Sequence, residues 1–127
     1  MKPPAPAADP DRKAAEWVLS VGGVVRVSGL DRDIKAAGDL PRESFAVTNI
    51  DLARNNQVTD AKLVLFKDCR NVTSLQLSGT QVTDAGLAHL KGMKKLKKLV
   101  VTYLSGVTNE GIDKLKQELP QLEEVEQ

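Results

Sequence analysis

The chain has 127 residues, one cysteine and a formal net charge of +1, and only 3% of its residues are aromatic. This length suits one domain, and a single cysteine excludes an internal disulfide framework and a multi-cysteine zinc site. The near-neutral charge argues against a general nucleic-acid binder. No apolar run approaches the roughly 20 residues of a membrane-spanning helix, and no signal peptide is visible after Met1. We therefore expect a cytoplasmic protein without a nucleic-acid or membrane partner.

The chain divides into an arm, a capping segment and a series of similar units. Residues 1–9 are rich in proline and alanine without an apolar period, which predicts a disordered arm. In residues 10–46, Pro10 opens a predicted helix behind the N-cap residue Asp9. Gly22 follows the end of that helix, and a short β-branched strand comes next. We interpret residues 10–46 as an N-terminal helix-strand cap.

Residues 47–127 contain an internal repeat. Successive copies begin at Val47, Val72, Leu96 and Leu122, which gives the units 47–71, 72–95 and 96–121 and the partial unit 122–127. Each full unit has an apolar strand, a loop valine, a Thr-Asp or Thr-Asn helix start and an apolar helix stripe. One unit cannot bury both apolar faces alone, so the pattern predicts that neighbouring units stack.

The pattern L-x-x-L-x-L followed by V-T-D-x-G-L-x-x-L resembles the leucine-rich repeat family, in its bacterial and cysteine-containing subtype. The resemblance covers roughly residues 44–127, and the N-terminal segment is similar to the cap that precedes such repeats. It implies an α/β fold, a short right-handed solenoid with parallel strands on the concave face and helices on the convex face. It also implies a non-enzymatic module that binds a protein partner through its concave sheet.

The strand residues that alternate away from the core form the expected binding surface. This set contains Asn49, Asp51, Ser74, Gln76, Lys98, Val100, Thr102 and Tyr103. Arg26 is expected to extend the row that contains Asp51. Tyr103 is the best single anchor, because aromatic residues are enriched at interface hot spots. The alternative is a solvated sheet surface without a partner.

A run of lysines near the third strand allows two interpretations. It could form a patch for phosphate or an acidic partner. Alternatively, the repeat places Lys97 beside Glu123 and Lys98 beside Glu124, as lateral charge pairs on adjacent strands. We favour the second interpretation, because no aromatic residue is interleaved for base stacking.

The remaining candidates for chemistry have simpler structural explanations. Cys69 shares its repeat position with Met93 and Leu119, which predicts a small buried hydrophobe. His89 is expected to face solvent, and the Thr-Asp pairs are interpreted as helix caps. No phosphate loop, nucleophile elbow or zinc-protease motif is present.

We therefore expect no enzymatic activity, no catalytic residue, no metal and no cofactor, and we expect a monomer. Two other hypotheses of function remain open. The chain could be the recognition region of a larger bacterial enzyme, such as a protein kinase or a ubiquitin-ligase-type adaptor. It could also be a structural repeat without a dedicated ligand.

Overall fold

The computed structural model describes residues 10–30, 32–43 and 45–127. It is an α/β structure with one five-stranded sheet in the order β1-β2-β3-β4-β5. The strands are β1 (Val24–Val27), β2 (Val47–Asp51), β3 (Ser74–Gln76), β4 (Lys98–Val100) and β5 (Glu124–Glu126). Strand β1 runs antiparallel to β2, and the other neighbouring strands are parallel. The predicted arm and the predicted N-cap Asp9 lie outside the described residues.

The helical segments differ in type from unit to unit. The α-helices are α1 (Pro10–Ser20), α2 (Asp84–Leu87) and α3 (Asn109–Glu118), and 3₁₀ helices span Ala37–Asp39, Asp60–Phe66 and Ala88–Gly92. The third unit has one residue more between helix start and returning turn (108 to 119) than the first (59 to 69) or the second (83 to 93). A 3₁₀ helix rises about 2.0 Å per residue, against about 1.5 Å in an α-helix. The shorter segments therefore cover a comparable length with the tighter helix.

Helix α1 ends at the glycine pair, as the sequence predicts. Gly22 has a φ of 86°, and its backbone N–H donates to the carbonyl of Leu19 at 3.1 Å. The backbone N–H of Gly23 donates to the carbonyl of Val18 at 2.8 Å. A Cβ at Gly23 would lie 2.6 Å from a methyl group of Val18. Both glycines are thus needed, the first for its conformation and the second for its close approach.

The core lies between the sheet and the helices. The apolar residues within or directly after the strands are buried as predicted: Ile50, Leu52, Leu75, Leu77, Leu99 and Val101. Its helix positions are buried too: Leu63, Phe66, Leu87, Leu90, Ile112 and Leu115. The three residues of the returning turns, Cys69, Met93 and Leu119, complete the same core. Because the register aligns Ile50, Leu75 and Leu99 on adjacent strands, apolar rows run across the sheet.

Helix α1 packs on the first unit through specific contacts. The ring of Trp17 meets that of Phe66 edge to face, with 6.0 Å between the centroids. The carboxylate of Asp11 accepts a hydrogen bond from the backbone N–H of Val47 at 2.8 Å. These contacts join α1 to both the strand and the helix of the first unit.

Candidate functional site

A groove of about 350 Å³ lies on the face of the sheet that points away from the core. All five strands and Asp33 contribute to its lining. Six of the expected binding residues lie there: Asn49, Asp51, Ser74, Gln76, Lys98 and Val100. The strand register brings them together, because Asp51, Gln76 and Val100 occupy equivalent positions on adjacent parallel strands.

The other two expected binding residues do not line the groove. Thr102 is half-buried, and its hydroxyl donates to the hydroxyl of Ser78 at 2.6 Å. Tyr103 is 89% exposed and lies beyond the carboxyl end of β4. Both residues follow β4, which ends at Val100, and their role in binding stays a prediction.

Arg26 lies in a different row from the one predicted. It pairs with Asn49, whereas Val24 is the residue opposite Asp51. The reason is that β1 runs antiparallel to β2, which reverses its residue order along the sheet. The guanidinium of Arg26 donates to a carboxylate oxygen of Asp33 at 2.7 Å. This end of the groove therefore carries a matched pair of charges.

The other end of the groove is also charged. The ammonium of Lys98 lies 3.8 Å from a carboxylate oxygen of Glu124 and 3.5 Å from one of Glu126. The predicted pairing of Lys98 with Glu124 is therefore confirmed. Within the described part of the chain, the expected pairing of Lys97 with Glu123 is not formed. Exposed pairs like those of Lys98 contribute at most about 1 kcal/mol each.

The middle of the groove combines polar and apolar groups. A carboxylate oxygen of Asp51 accepts from the backbone N–H of Ala53 at 3.0 Å, and the amide oxygen of Gln76 accepts from that of Ser78 at 2.9 Å. These bonds fix both side chains against the end of their strands. Val100 takes the equivalent position in β4 and is only 8% exposed. The row is therefore polar on two strands and apolar on the third.

The helix starts form a contact between units that the sequence interpretation missed. The carboxylate of Asp60 accepts bonds from the backbone N–H and the hydroxyl of Thr83, and Asp84 accepts the same two bonds from Thr108. Each threonine hydroxyl also accepts from an N–H of its own helix, whereas Thr59 makes no such cap. The constant spacing of the Thr-Asp pairs is the sequence feature from which this contact could have been predicted. These carboxylates are thus occupied within the fold.

The same contact explains a glycine that two units share. A Cβ at Gly86 would overlap the carboxylate of Asp60, and one at Gly111 would overlap that of Asp84. Lys62 takes the equivalent position in the first unit. Residues 10–46, which come before that unit, contain no Thr-Asp pair whose carboxylate could lie against Lys62. Both glycines are therefore close-packing positions, and the group that each packs against is a carboxylate.

Residues 10–30, 32–43 and 45–127 offer few other candidates for a functional site. No group of three or more His, Cys, Asp or Glu side chains there could hold a metal ion. No helix in these ranges combines the length and apolar character needed to cross a bilayer. Cys69 is buried, and its thiol donates to the carbonyl oxygen of Pro10 at 3.7 Å. His89 is half-buried, where the sequence predicted solvent exposure.

No protein-family model matches the chain, and no curated protein matches it either.

Proposed function

We propose that the chain is a leucine-rich-repeat domain that binds a protein partner through the groove and catalyses no reaction. In this proposal, units 47–71, 72–95 and 96–121 stack as a short right-handed solenoid, and the groove is its concave face. The observation that carries the proposal is the convergence of five strands on one groove with charged ends and a mixed centre. Protein interfaces carry hydrogen bonds and charged groups beside apolar contacts, and the lining of this groove offers all three.

The contacts between adjacent units support the stacking. The parallel register aligns Asn49 with Ser74, Ser74 with Lys98, and Lys98 with Glu124. The bonds from Asp60 to the next helix start repeat at Asp84. Equivalent positions of successive units thus meet at both the sheet and the helix starts, as stacking requires.

The character of the groove favours a protein over a small molecule. Small-molecule sites are mostly apolar or aromatic in lining, whereas this groove is lined by five ionisable side chains and no aromatic one: Arg26, Asp33, Asp51, Lys98 and Glu126. A stable protein interface covers about 800 Å² on each partner. The partner would therefore extend beyond the groove onto its rim.

The proposal includes a monomeric state and a cytoplasmic location. Sedimentation velocity at several concentrations tests the monomer, and a fluorescent fusion tests the location.

Capture from lysate followed by mass spectrometry would supply candidate partners, and calorimetry with a purified candidate would test the site. Gln76→Arg places a long cation in the centre of the groove, and we expect it to weaken binding and raise the Kd by about tenfold or more. Gln117→Arg makes the same change on α3, at an exposed residue outside the groove lining, and serves as the matched control. Gln76→Glu keeps the acceptor for the Ser78 N–H and tests the charge alone.

The groove fails as the binding site if Gln76→Arg and the wild-type chain bind the partner equally while their circular dichroism spectra agree. An equal loss in Gln117→Arg would also contradict the proposal, because added positive charge alone would then explain the effect.

A further inference from the structure

Strand β5 forms one edge of the sheet, next to β4. The backbone N–H of Glu124 donates to the carbonyl of Lys97 at 2.9 Å. The carbonyl of Glu126 accepts from the N–H of Val101 at 2.8 Å. Because successive residues of a strand direct these groups to opposite sides, the N–H and carbonyl of Val125 point away from β4. Within the described part of the chain, no strand pairs with that side of β5.

The apolar row that crosses the sheet also ends at this edge. Val125 is in register with Leu99 of β4, and Leu99 with Leu75 of β3. Leu75 and Leu99 are fully buried, whereas Val125 is only partly buried. A further strand beside β5 would cover Val125 as β5 covers Leu99. The edge therefore offers a backbone donor, a backbone acceptor and an apolar contact.

The two residues that flank Val125 are acidic and accessible. The ammonium of Lys98 contacts the carboxylates of Glu124 and Glu126 from the β4 side, and these two side chains remain 67% and 54% exposed. A carboxylate accepts hydrogen bonds from several donors, so each can take a second cation from the open side. Strand β4 shows which neighbour suits β5, because its Lys98 and Leu99 lie in register with Glu124 and Val125.

We propose that the free edge of β5 binds an extended segment of a partner protein in which basic and apolar residues alternate. The backbone of this segment pairs with the N–H and carbonyl of Val125, as peptides do when they add a strand to an exposed sheet edge. Its apolar residue covers Val125, and its basic residues lie beside Glu124 and Glu126, where opposite charges on adjacent strands are stabilising. The inference does not depend on the proposed function of the groove.

A second copy of the chain fits this edge less well. Two β5 strands related by a two-fold axis would run antiparallel about Val125, and Glu124 of each copy would lie opposite Glu126 of the other. Like charges directly opposite each other are destabilising. The glutamates thus oppose pairing of two identical edges and favour a basic strand.

A further repeat unit also fits less well than a single strand. The aspartates that join successive units, Asp60 and Asp84, accept hydrogen bonds from the next helix start. Asn109 takes this position in the third unit. Its amide oxygen already accepts from the side-chain amide of Gln127 at 2.9 Å. The helix start of the third unit therefore offers a further unit no charged acceptor, and the open edge of β5 is the part that a partner can use.

A fluorescent peptide of alternating lysine and valine serves as the probe, and fluorescence anisotropy measures its affinity for the wild-type chain. An N-methylated peptide of the same sequence keeps every charge and lacks the backbone donors. We expect it to bind about tenfold more weakly. A peptide with glutamate in place of lysine should show a loss of at least the same size, because its carboxylates would lie beside those of β5.

Variants of β5 locate the binding site on the chain. Val125→Pro removes the outward N–H, which the sheet does not use, and proline is tolerated at such edge positions. Val125→Pro and Glu126→Lys are each expected to weaken peptide binding by about tenfold. Glu118→Lys makes the same charge change at an exposed residue of α3 and should bind the peptide like the wild type. Circular dichroism checks the fold, and Glu126→Lys remains informative if Val125→Pro unfolds.

Four results would overturn the inference. The wild-type chain could fail to bind the peptide at millimolar concentration. The N-methylated and unmodified peptides could bind equally, or Glu118→Lys could lose as much affinity as Glu126→Lys, and attraction between charges alone would then explain the binding. Sedimentation velocity could reveal a wild-type dimer that Val125→Pro abolishes, which would assign the edge to a second copy. The groove is tested separately by Gln76→Arg and its own partner.

Discussion

The carboxylate of Asp60 holds Thr83 by two hydrogen bonds, 2.7 Å from its backbone nitrogen and 2.5 Å from its hydroxyl oxygen. Asp84 holds Thr108 in the same way, at 2.9 and 2.6 Å. Hydrogen bonds to a charged acceptor are roughly twice as strong as neutral ones. The Thr-Asp pairs therefore do more than cap single helices, because each aspartate joins its unit to the next.

Asp84→Ala removes the acceptor of both bonds from Thr108. We expect the free energy of unfolding to fall by about 1 kcal/mol, because Thr108 loses two hydrogen bonds to a charged acceptor at an exposed site. Urea denaturation followed by circular dichroism measures the change. Asp113→Ala, at an exposed position of α3, should stay within about 0.5 kcal/mol of the wild type. Equal urea midpoints for the two variants would contradict the role of Asp84.

Gly111→Ala should destabilise the chain, although alanine normally favours a helix over glycine by about 1 kcal/mol. The added Cβ would overlap the carboxylate of Asp84. The loss should be smaller when Gly111→Ala is made in an Asp84→Ala background, and a double-mutant cycle measures that coupling. Lys62→Ala, at the equivalent exposed position of the first unit, should be close to neutral. A stabilising Gly111→Ala would show that the helix start tolerates the methyl group.

Leu77→Asp should unfold the chain. Leu77 is fully buried, and an unpaired charge there costs several kcal/mol, against a typical domain stability of about 5–15 kcal/mol. Circular dichroism and thermal melting provide the measurement. Gln81→Asp introduces the same side chain at an exposed residue nearby and should melt like the wild type. If Leu77→Asp also melts like the wild type, the register of β3 is wrong.

Lys98→Gln should lower the free energy of unfolding by less than about 1 kcal/mol at low salt, since both glutamate pairs are partly exposed. The difference should vanish near about 1 M salt, where the Debye length falls to about 3 Å. Lys97→Gln is the control, because Lys97 is the preceding residue and the described chain shows it in no ion pair. If the difference in the free energy of unfolding does not depend on salt, Lys98 stabilises the fold by packing and not by its charge.

Burial in the core could be predicted from the sequence with few errors. Leu75 and Leu99 were assigned to the core because apolar residues recur at the repeat period, and both are fully buried on adjacent strands. Six expected binding residues reached one groove for the same reason, since residues alternate between the two faces of a strand. Thr102 and Tyr103 lie beyond the end of β4 at Val100 and do not line the groove.

The sequence by itself determined the α/β class, the order of the elements and the apolar rows, because these depend on residue type and spacing along the chain. Only the tertiary structure decided the orientation of β1, which moved Arg26 to the row of Asn49. It also decided which carboxylate each helix start would meet and why Gly86 and Gly111 are needed. These features depend on residues of different units, and their distances are set when the units pack. The net charge of +1 likewise conceals the charge pairs at the two ends of the groove. The pairing of the strands places both pairs on one surface.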